Sequence, residues 1–373
     1  MRPIGIDARK LADFGIGSYL QGLLGELVAL DPPGGVALLV SREHMALLPA
    51  LPETWRLVEV EAGGYTIREQ ISVLVAAMRA GVEVLHVPHY VLPLAYPRRM
   101  VVTVHDIIHV LFPEFLPHPL GFGYARLLIR AAMRRARRVI AVSQTTADDL
   151  IRLFGAPANR VTVIPDGIAA EFLSPGDEQR DGELRRRLHV PDRYLLHVGN
   201  HKPHKNVEGL LKAYQLLVYG QRKGLPPLVL AGGFERDGEI DLRARAMGLG
   251  RHVHCLGHLE QNELAAVFRG AAVFISPTLY EGFGLTVIEA MSCGVPVVAG
   301  DVPAVREVAG DAVVRVNPRD LTEIADAVMR VLDGPDLRAQ LTKRGRVRAR
   351  RYQWRRAAEA TLAVYREARE EKA

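Results

Sequence analysis

The chain has 373 residues, enough to bury two hydrophobic cores. Hydrophobic residues make up 49% of it and charged residues 24%, which excludes a disordered chain, a collagen and a disulfide-stapled miniprotein. The 48 Lys and Arg against 42 Asp and Glu leave a net charge of +6, which favours anionic partners without by itself indicating nucleic acid. Cys255 and Cys293 stand outside any metal or redox pair motif and fit a reducing compartment. The first ten residues lack the basic-then-apolar pattern of a signal peptide, and no apolar stretch reaches the roughly 18 residues of a membrane span. The expectation is a cytoplasmic protein, in contact at most with the inner face of the cell membrane.

A strand is expected at residues 3–6 and a helix at 17–30, where Tyr19, Leu20, Leu23, Leu24, Leu27 and Val28 share one face. Short apolar runs follow at 36–40, 82–87, 100–104, 139–142 and 161–164. Runs without polar alternation suit a parallel sheet covered on both faces. Residues 174–183 are rich in Gly, Pro, Asp and Glu and read as an exposed linker. The alternation then restarts, with strands expected at 194–198, 228–231, 253–256, 273–276, 295–299 and 312–316. The pattern implies two doubly wound α/β domains facing each other across a cleft.

Two segments are strongly basic. Residues 121–138 read as a helix carrying Arg126, Arg130, Arg134, Arg135, Arg137 and Arg138 between aliphatics. This is either a packing helix with a solvated basic face or a contact for anionic lipid. Residues 338–373 read as helical and basic, either a solvated face or an attraction to an acidic surface.

The strongest chemical signal is Ser276-Pro277-Thr278-Leu279-Tyr280-Glu281-Gly282-Phe283-Gly284-Leu285-Thr286-Val287-Ile288-Glu289-Ala290-Met291. A buried strand ends at Ser276, a glycine-containing loop follows, and a helix starts near Gly284. Loop glycines let backbone N–H groups approach a ligand, and the unpaired N–H groups of the new helix point at an anion. No G-x-x-x-x-G-K-[ST] motif occurs, so this diphosphate cradle is not a Walker loop. Glu281 precedes the helix and Glu289 lies a little over one turn inside it, tilted back toward the N-terminus. Carboxylates accept from paired sugar hydroxyls, so one could hold a ribose and the other a transferred sugar.

At these residues the sequence resembles the retaining nucleotide-sugar glycosyltransferases of the two-domain GT-B fold. This is the large bacterial Glu-x7-Glu family (glycosyltransferase family 4, group 1), with bacterial mannosyltransferases among its members. The resemblance covers essentially the whole chain and is strongest over residues 194–316. Thr286 departs from the Pro usual in relatives, and both residues suit a first helical turn. The resemblance implies that Glu289 binds the ribose hydroxyls and Glu281 the donor sugar. It further implies that the amides of Phe283, Gly284 and Leu285 hold the diphosphate. It assigns residues 1–170 to acceptor binding, 171–354 to donor binding, and a helix of about 355–373 to packing back on the first domain.

The loop His197-Val198-Gly199-Asn200-His201-Lys202-Pro203-His204-Lys205-Asn206 follows a strand and opens a helix. Gly199 permits a tight turn, and Lys202 and Lys205 put cations where a crossing phosphate would sit. Such cations stabilise charge on a departing diphosphate. The resembled family carries a Lys matched by Lys205. Many relatives also have Arg where Asn200 stands, so either Lys202 or Asn200 replaces it. His201 and His204 have no further Cys or clustered acid to make a metal site, and no D-x-D motif occurs. The expectation is a metal-independent enzyme without a cofactor, using a nucleotide-diphosphate sugar as co-substrate.

In the first domain, Asp13-Phe14-Gly15-Ile16-Gly17 joins strand to helix. The third glycine and the ribose acid of a dinucleotide fingerprint are missing. The resemblance places Gly15 and Gly17 near the diphosphate and acceptor, with a simple strand–helix turn as the alternative. His105 ends another strand, where the family has a His beside the donor sugar, and Asp106 could orient its ring. Ser143 resembles a cleft position. His109 and His118 read as loop residues.

The resulting expectation is a retaining hexosyltransferase of polysaccharide biosynthesis. It moves mannose, as the first choice, from GDP-mannose to a glycan or lipid-linked acceptor hydroxyl. His105, Lys205 and Glu281 are its catalytic residues. Gly15, Gly17, Gly199, Asn200, Lys202, Phe283, Gly284, Leu285 and Glu289 bind the donor. The alternatives are a sugar-nucleotide epimerase of the same fold and an inactive nucleotide-binding scaffold. Nucleic-acid binding has only charge in its favour.

Overall fold

The computed structural model describes residues 2–13, 15–60, 67–115, 120–220 and 224–370; Phe14 and His118 lie outside them. The chain divides into two compact units, Met1–Gly167 with Gln353–Ala373, and Ile168–Tyr352.

The first unit runs β1 (Ile4–Asp7), α1 (Ile16–Leu30), β2 (Val36–Val40), β3 (Arg56–Glu59), α2 (Ile67–Arg79), β4 (Val84–Val87), β5 (Arg99–Val104), α3 (Ile108–Leu111), α4 (Leu120–Arg135), β6 (Arg138–Ala141), α5 (Gln144–Phe154) and β7 (Val161–Val163). The second runs α6 (Ala170–Leu173), α7 (Glu178–Arg187), β8 (Leu195–Gly199), α8 (Val207–Tyr219), β9 (Leu228–Gly232), α9 (Glu239–Ala246), β10 (Val253–Cys255), α10 (Gln261–Gly270), β11 (Val273–Ser276), α11 (Leu285–Ser292), β12 (Val297–Gly300), α12 (Pro303–Ala309), β13 (Val314–Val316), α13 (Leu321–Asp333) and α14 (Pro335–Ala349). The chain then returns to the first unit as α15 (Trp354–Glu370).

Both sheets are parallel, ordered β3-β2-β1-β4-β5-β6-β7 and β10-β9-β8-β11-β12-β13. Each direction of winding therefore reverses once, between β1 and β4 and between β8 and β11. Ligands of open α/β sheets bind at the carboxyl ends of strands flanking such a reversal. The central strands are buried along their whole length because helices cover both faces.

The returning helix carries the means of its own attachment. Trp354, Ala357, Ala358, Thr361, Leu362, Tyr365 and Ala368 are buried at helical spacing. Gly22 of α1 makes room for the indole: a Cβ there would lie 2.1 Å from a ring carbon of Trp354. Gly167, the last residue before the first crossing, would place a Cβ 2.2 Å from the Trp354 amide nitrogen.

Two expectations need correction, the linker and the extent of the basic helix 121–138, and one edge strand was not foreseen. Residues 174–183 are not a bare linker, because α7 starts at Glu178. The Asp177 side chain caps it by accepting from the Arg180 amide at 3.1 Å, and buried Asp181 takes two hydrogen bonds from Arg269. Acids that looked like linker composition are a cap and an ion pair. Edge strand β3 had no sequence signal, since half of its four residues are the charged Arg56 and Glu59 and Leu57 is 48% exposed.

Over its described residues the basic C-terminal segment is two helices, the end of α14 and α15, broken between Ala349 and Trp354. Its cations mostly tie down neighbours: Arg348 donates to the carbonyls of Glu307 and Val308 at the end of α12, and Arg338 to those of Val331 and Leu332 in α13. The basic helix 121–138 likewise ends at Arg135. Arg135 donates to the carbonyls of Leu94, Tyr96 and Arg98; Arg138 opens β6 and donates to Asn159 O at 2.6 Å, and Arg137 lies in the turn between. Of the six arginines, only Arg126, Arg130 and Arg134, at helical spacing, stand exposed.

Candidate active site

In the second unit, the loops after β8 and β11 meet at the reversal of the sheet. Asn206 ends the first loop at φ 55, a left-handed conformation that Asn tolerates. Its side-chain amide donates to Pro277 O at 3.0 Å and Pro318 O at 2.6 Å, lashing the loop to the ends of β11 and β13. His204 O accepts from the Leu279 amide at 2.8 Å and from Thr278 Oγ1 at 3.0 Å. The two loops thus form one hydrogen-bonded block.

That block sets Lys205 against Glu281: Nζ donates to Oε1 at 2.8 Å, with the side chains only 18% and 10% exposed. Asn200 Oδ1 accepts from the Lys202 backbone amide at 3.3 Å, and Lys202 is exposed. Gly199 ends β8, and its carbonyl accepts from the Gly233 amide at 2.8 Å. His201 pairs with Glu239 at 3.3 Å, while His204 is buried.

Gly284 lies at φ 99, a conformation that essentially only glycine adopts freely, and it opens α11 with Leu285 as the first helical residue. The Val287 and Ile288 amides bond the Gly284 carbonyl at 3.0 and 3.3 Å, whereas those of Leu285 and Thr286, ahead of them, have no carbonyl of their own helix to bind. Phe283 is buried with its ring edge-on to Tyr352, centroids 5.4 Å apart. The Glu289 side chain, one turn into α11, has no hydrogen-bond or ion-pair partner among the described residues, and burial pushes its carboxyl up to about 7.

In the first unit, Gly15 stands at φ 78 before α1, and a Cβ on Gly17 would lie 2.4 Å from Leu11 O. Both glycines are therefore required by the turn itself. His105 follows β5, and its Nε2 donates to Pro88 O at 3.2 Å. Its ring meets Tyr19 edge-on, centroids 4.8 Å apart. Burial lowers its pKa to about 4, so it is neutral with Nδ1 as the acceptor nitrogen.

One expectation about its neighbours fails: Asp106 does not bond the ring, and its Oδ1 accepts from the Ile108 amide at 3.0 Å. Ser143 follows β6 and caps α5, accepting from the Thr146 amide at 3.0 Å. His109 Nδ1 meets the Tyr90 hydroxyl at 3.1 Å.

Sequence reasoning missed three features here. Arg9 is buried between Asp7, at the end of β1, and Glu69, at 2.8 and 2.9 Å. A polar residue ending an apolar strand was the available signal for Asp7. His86, inside β4, bonds Tyr365 of α15 at 2.6 Å and Thr103 at 2.8 Å, and Thr103 also bonds Tyr19 at 3.0 Å. This buried chain fastens α15 beneath His105. Asp166 is buried, its Oδ1 has no partner among the described residues, and burial pushes its carboxyl up to about 8.

Comparison with known proteins decides the family. The model for glycosyl transferases group 1 matches residues 182–348, and that for glycosyltransferase family 4 matches residues 43–172. The O-antigen chain mannosyltransferase B of Escherichia coli is 30% identical over 319 residues, 85% of this chain and 80% of that one. The chain belongs to the group 1, family 4 glycosyltransferases. A D-inositol 3-phosphate glycosyltransferase of Saccharomonospora viridis is 34% identical over 62% of this glycosyltransferase and 56% of its own length.

Among solved structures, the sucrose-phosphate synthase of Thermosynechococcus elongatus superposes with a TM-score of 0.80 at 21% identity, covering 98% of this chain and 99% of its own. WaaG, a glycosyltransferase involved in lipopolysaccharide biosynthesis, gives 0.75 at 14% identity, covering 97% and 99%. Anabaena HepE in complex with UDP-glucose gives 0.76 at 17% identity, covering 99% and 100%. The glycosyltransferase has the GT-B fold.

Proposed function

We propose that this glycosyltransferase moves a hexose, mannose as the first choice, from a nucleotide-diphosphate sugar to a glycan or lipid-linked hydroxyl with retention of configuration. The observation that carries the reading is the meeting of Lys205, Glu281 and the α11 N-terminus at the reversal of the second sheet. In this reading the amides of Phe283, Gly284 and Leu285, with Lys205 and Lys202, receive the diphosphate. Glu289 takes the ribose hydroxyls, Glu281 the sugar hydroxyls, and Gly199 and Asn200 shape the turn beside them. The first unit, with Gly15, Gly17 and His105, serves the acceptor and the transferred sugar.

The sugar C1–O bond breaks with its electron pair going to the diphosphate, whose charge the cations and amides stabilise. The acceptor hydroxyl attacks C1 from the same face, and its proton goes to the departing phosphate oxygen. No resident metal or cofactor is invoked, because fixed cations and helix amides fill that role. Mannose and polysaccharide biosynthesis rest on likeness to the O-antigen chain mannosyltransferase.

Membrane contact belongs to the same reading, through Arg126, Arg130 and Arg134 with exposed Tyr124 and Leu127 on α4. Right-handed crossovers put α2 on the same sheet face, where Ile71, Val75 and Met78 form an exposed stripe. The Leu94 backbone links the two helices, donating to Gln70 and accepting from Arg135. Equal sedimentation with neutral and anionic vesicles would remove this contact.

A thermal-shift panel with GDP, UDP, ADP and NAD tests the donor site. A ligand at 100 times its dissociation constant adds about 2.7 kcal/mol of stability. A shift with one nucleoside diphosphate supports the reading, and a shift with NAD alone overturns it. Product anomeric configuration by NMR, with GDP-mannose or UDP-glucose as donor, tests retention.

A further inference from the structure

We infer that the Lys205–Glu281 ion pair is a partner-exchange device that weakens binding of the bare nucleoside diphosphate relative to the intact nucleotide sugar, and so favours product release. The inference rests on the reading of this site as a nucleotide-sugar site.

Lys205 and Glu281 sit on loops joined through the His204 carbonyl, so the backbone hydrogen bonds oppose separating the loops to undo the pair. The exchange must occur at the side chains. The pair is 2.8 Å long and mostly buried, and among the described residues the Glu281 carboxylate has no other hydrogen-bond or ion-pair partner. An anion that takes over Lys205 therefore strips a shielded carboxylate of its counter-charge and brings like charge close to it. Leaving a buried charge unpaired is strongly unfavourable.

The two ligands differ in what they return. A nucleotide sugar brings hydroxyl donors, and an ionised carboxylate is an acceptor with several free lone pairs. It can satisfy Glu281 while its diphosphate engages Lys205. A nucleoside diphosphate engages Lys205 and offers Glu281 only phosphate oxygens. Once the sugar has left, Glu281 competes with the product for Lys205. Lys202 does not substitute, because it is exposed in the turn and makes no ion pair with Glu281.

The test is calorimetric titration of the full chain with GDP and UDP, and with GDP-mannose and UDP-glucose, for four proteins: wild type, Glu281→Gln, Lys205→Met and the double variant. Thermal melting without ligand checks that each is folded. Glu281→Gln is expected to bind the diphosphate recognised by the wild type about tenfold more tightly, while the affinity for the matching nucleotide sugar gains less. The gain is expected to shrink several-fold in the Lys205→Met background, because most of it acts through that cation and only the direct repulsion remains. If Glu281→Gln does not fold, Glu281→Asp replaces it. That variant withdraws the carboxylate by one methylene and is expected to give an intermediate gain.

Unchanged or weaker diphosphate binding in the Glu281 variant overturns the exchange. So does a gain of equal size in the Lys205→Met background, which would mean direct repulsion instead. Failure of the wild type to bind any nucleoside diphosphate or nucleotide sugar overturns the site reading itself. A wild type that binds them beside a Glu281 variant that binds them alike overturns only the exchange.

Discussion

Asp166 makes the stability of this protein fall with rising pH, and Asp166→Asn isolates the effect. The side chain is 3% exposed, its Oδ1 has no partner among the described residues, and burial pushes its carboxyl from the ordinary 3.8 up to about 8. Between those two values the folded chain holds a proton that the unfolded chain has released. Stability then falls as pH rises, because the folded state binds more protons than the unfolded state. The loss begins near pH 4, grows to about pH 8 and is complete above it.

Each tenfold change in proton affinity is worth about 1.36 kcal/mol, so the rise from 3.8 to about 8 sets an upper bound of about 6 kcal/mol. A third of that, about 2 kcal/mol, lowers the melting temperature of a unit this size by roughly 4–8 °C. Asn has nearly the shape of the protonated acid and cannot ionise. The assay is thermal unfolding of both proteins from pH 5 to pH 9. The two should be close at pH 5, and the variant should be more stable by a widening margin that levels off above pH 8. Other titrating groups, such as His86 and Glu289, are common to both proteins and cancel in the difference. Parallel curves across this range would refute the reasoning.

Three more outcomes are expected. Lys205→Ala should lower turnover about 100-fold, the scale of losing a donor to a developing oxyanion; steady-state rates with the preferred donor check it, and unchanged turnover removes Lys205 from the mechanism. Gly284→Ala should cost about 1–2 kcal/mol, because φ is 99 while the nearest atom to a new Cβ is 4.0 Å away, so the cost is backbone strain and not a clash. A denaturant midpoint equal to that of the wild type would contradict the left-handed turn. Trp354→Ala should cost about 3–5 kcal/mol, the range for emptying a buried aromatic site. Urea unfolding measures it, and a loss under about 1 kcal/mol would mean that α15 does not depend on the notch at Gly22.

Much of this architecture is written locally. The runs that become β2, β9, β11 and β12 are almost wholly apolar, so strands buried on both faces announce themselves without reference to partners. The segment from Ser276 to Met291 is legible for the same reason: strand end, glycine turn and helix start are adjacent in the chain. Gly15, Gly17 and Gly284 could be singled out because a strand–helix turn needs glycine for backbone reasons alone. Edge strand β3 was not legible, since an edge lacks the burial on both faces that makes a strand apolar. Helix α7 was hidden because its acids serve as a cap and an ion pair, and composition alone reads them as solvent-exposed.

The sequence by itself determined the two α/β alternations, the residue types at the candidate donor site and the turns that present them. Only the tertiary structure decided which charges are free. Lys205 and Glu281 are 76 positions apart and His86 and Tyr365 are 279 apart, yet both pairs are in hydrogen-bond contact. Arg135, Arg138 and Arg348 look like surface charge in the sequence and are held by backbone carbonyls in the fold. Asp166 looks like an ordinary turn residue and is a buried acid. Strand and helix formation depend on neighbours along the chain, whereas the charge state and partner of a side chain depend on what long-range packing places around it.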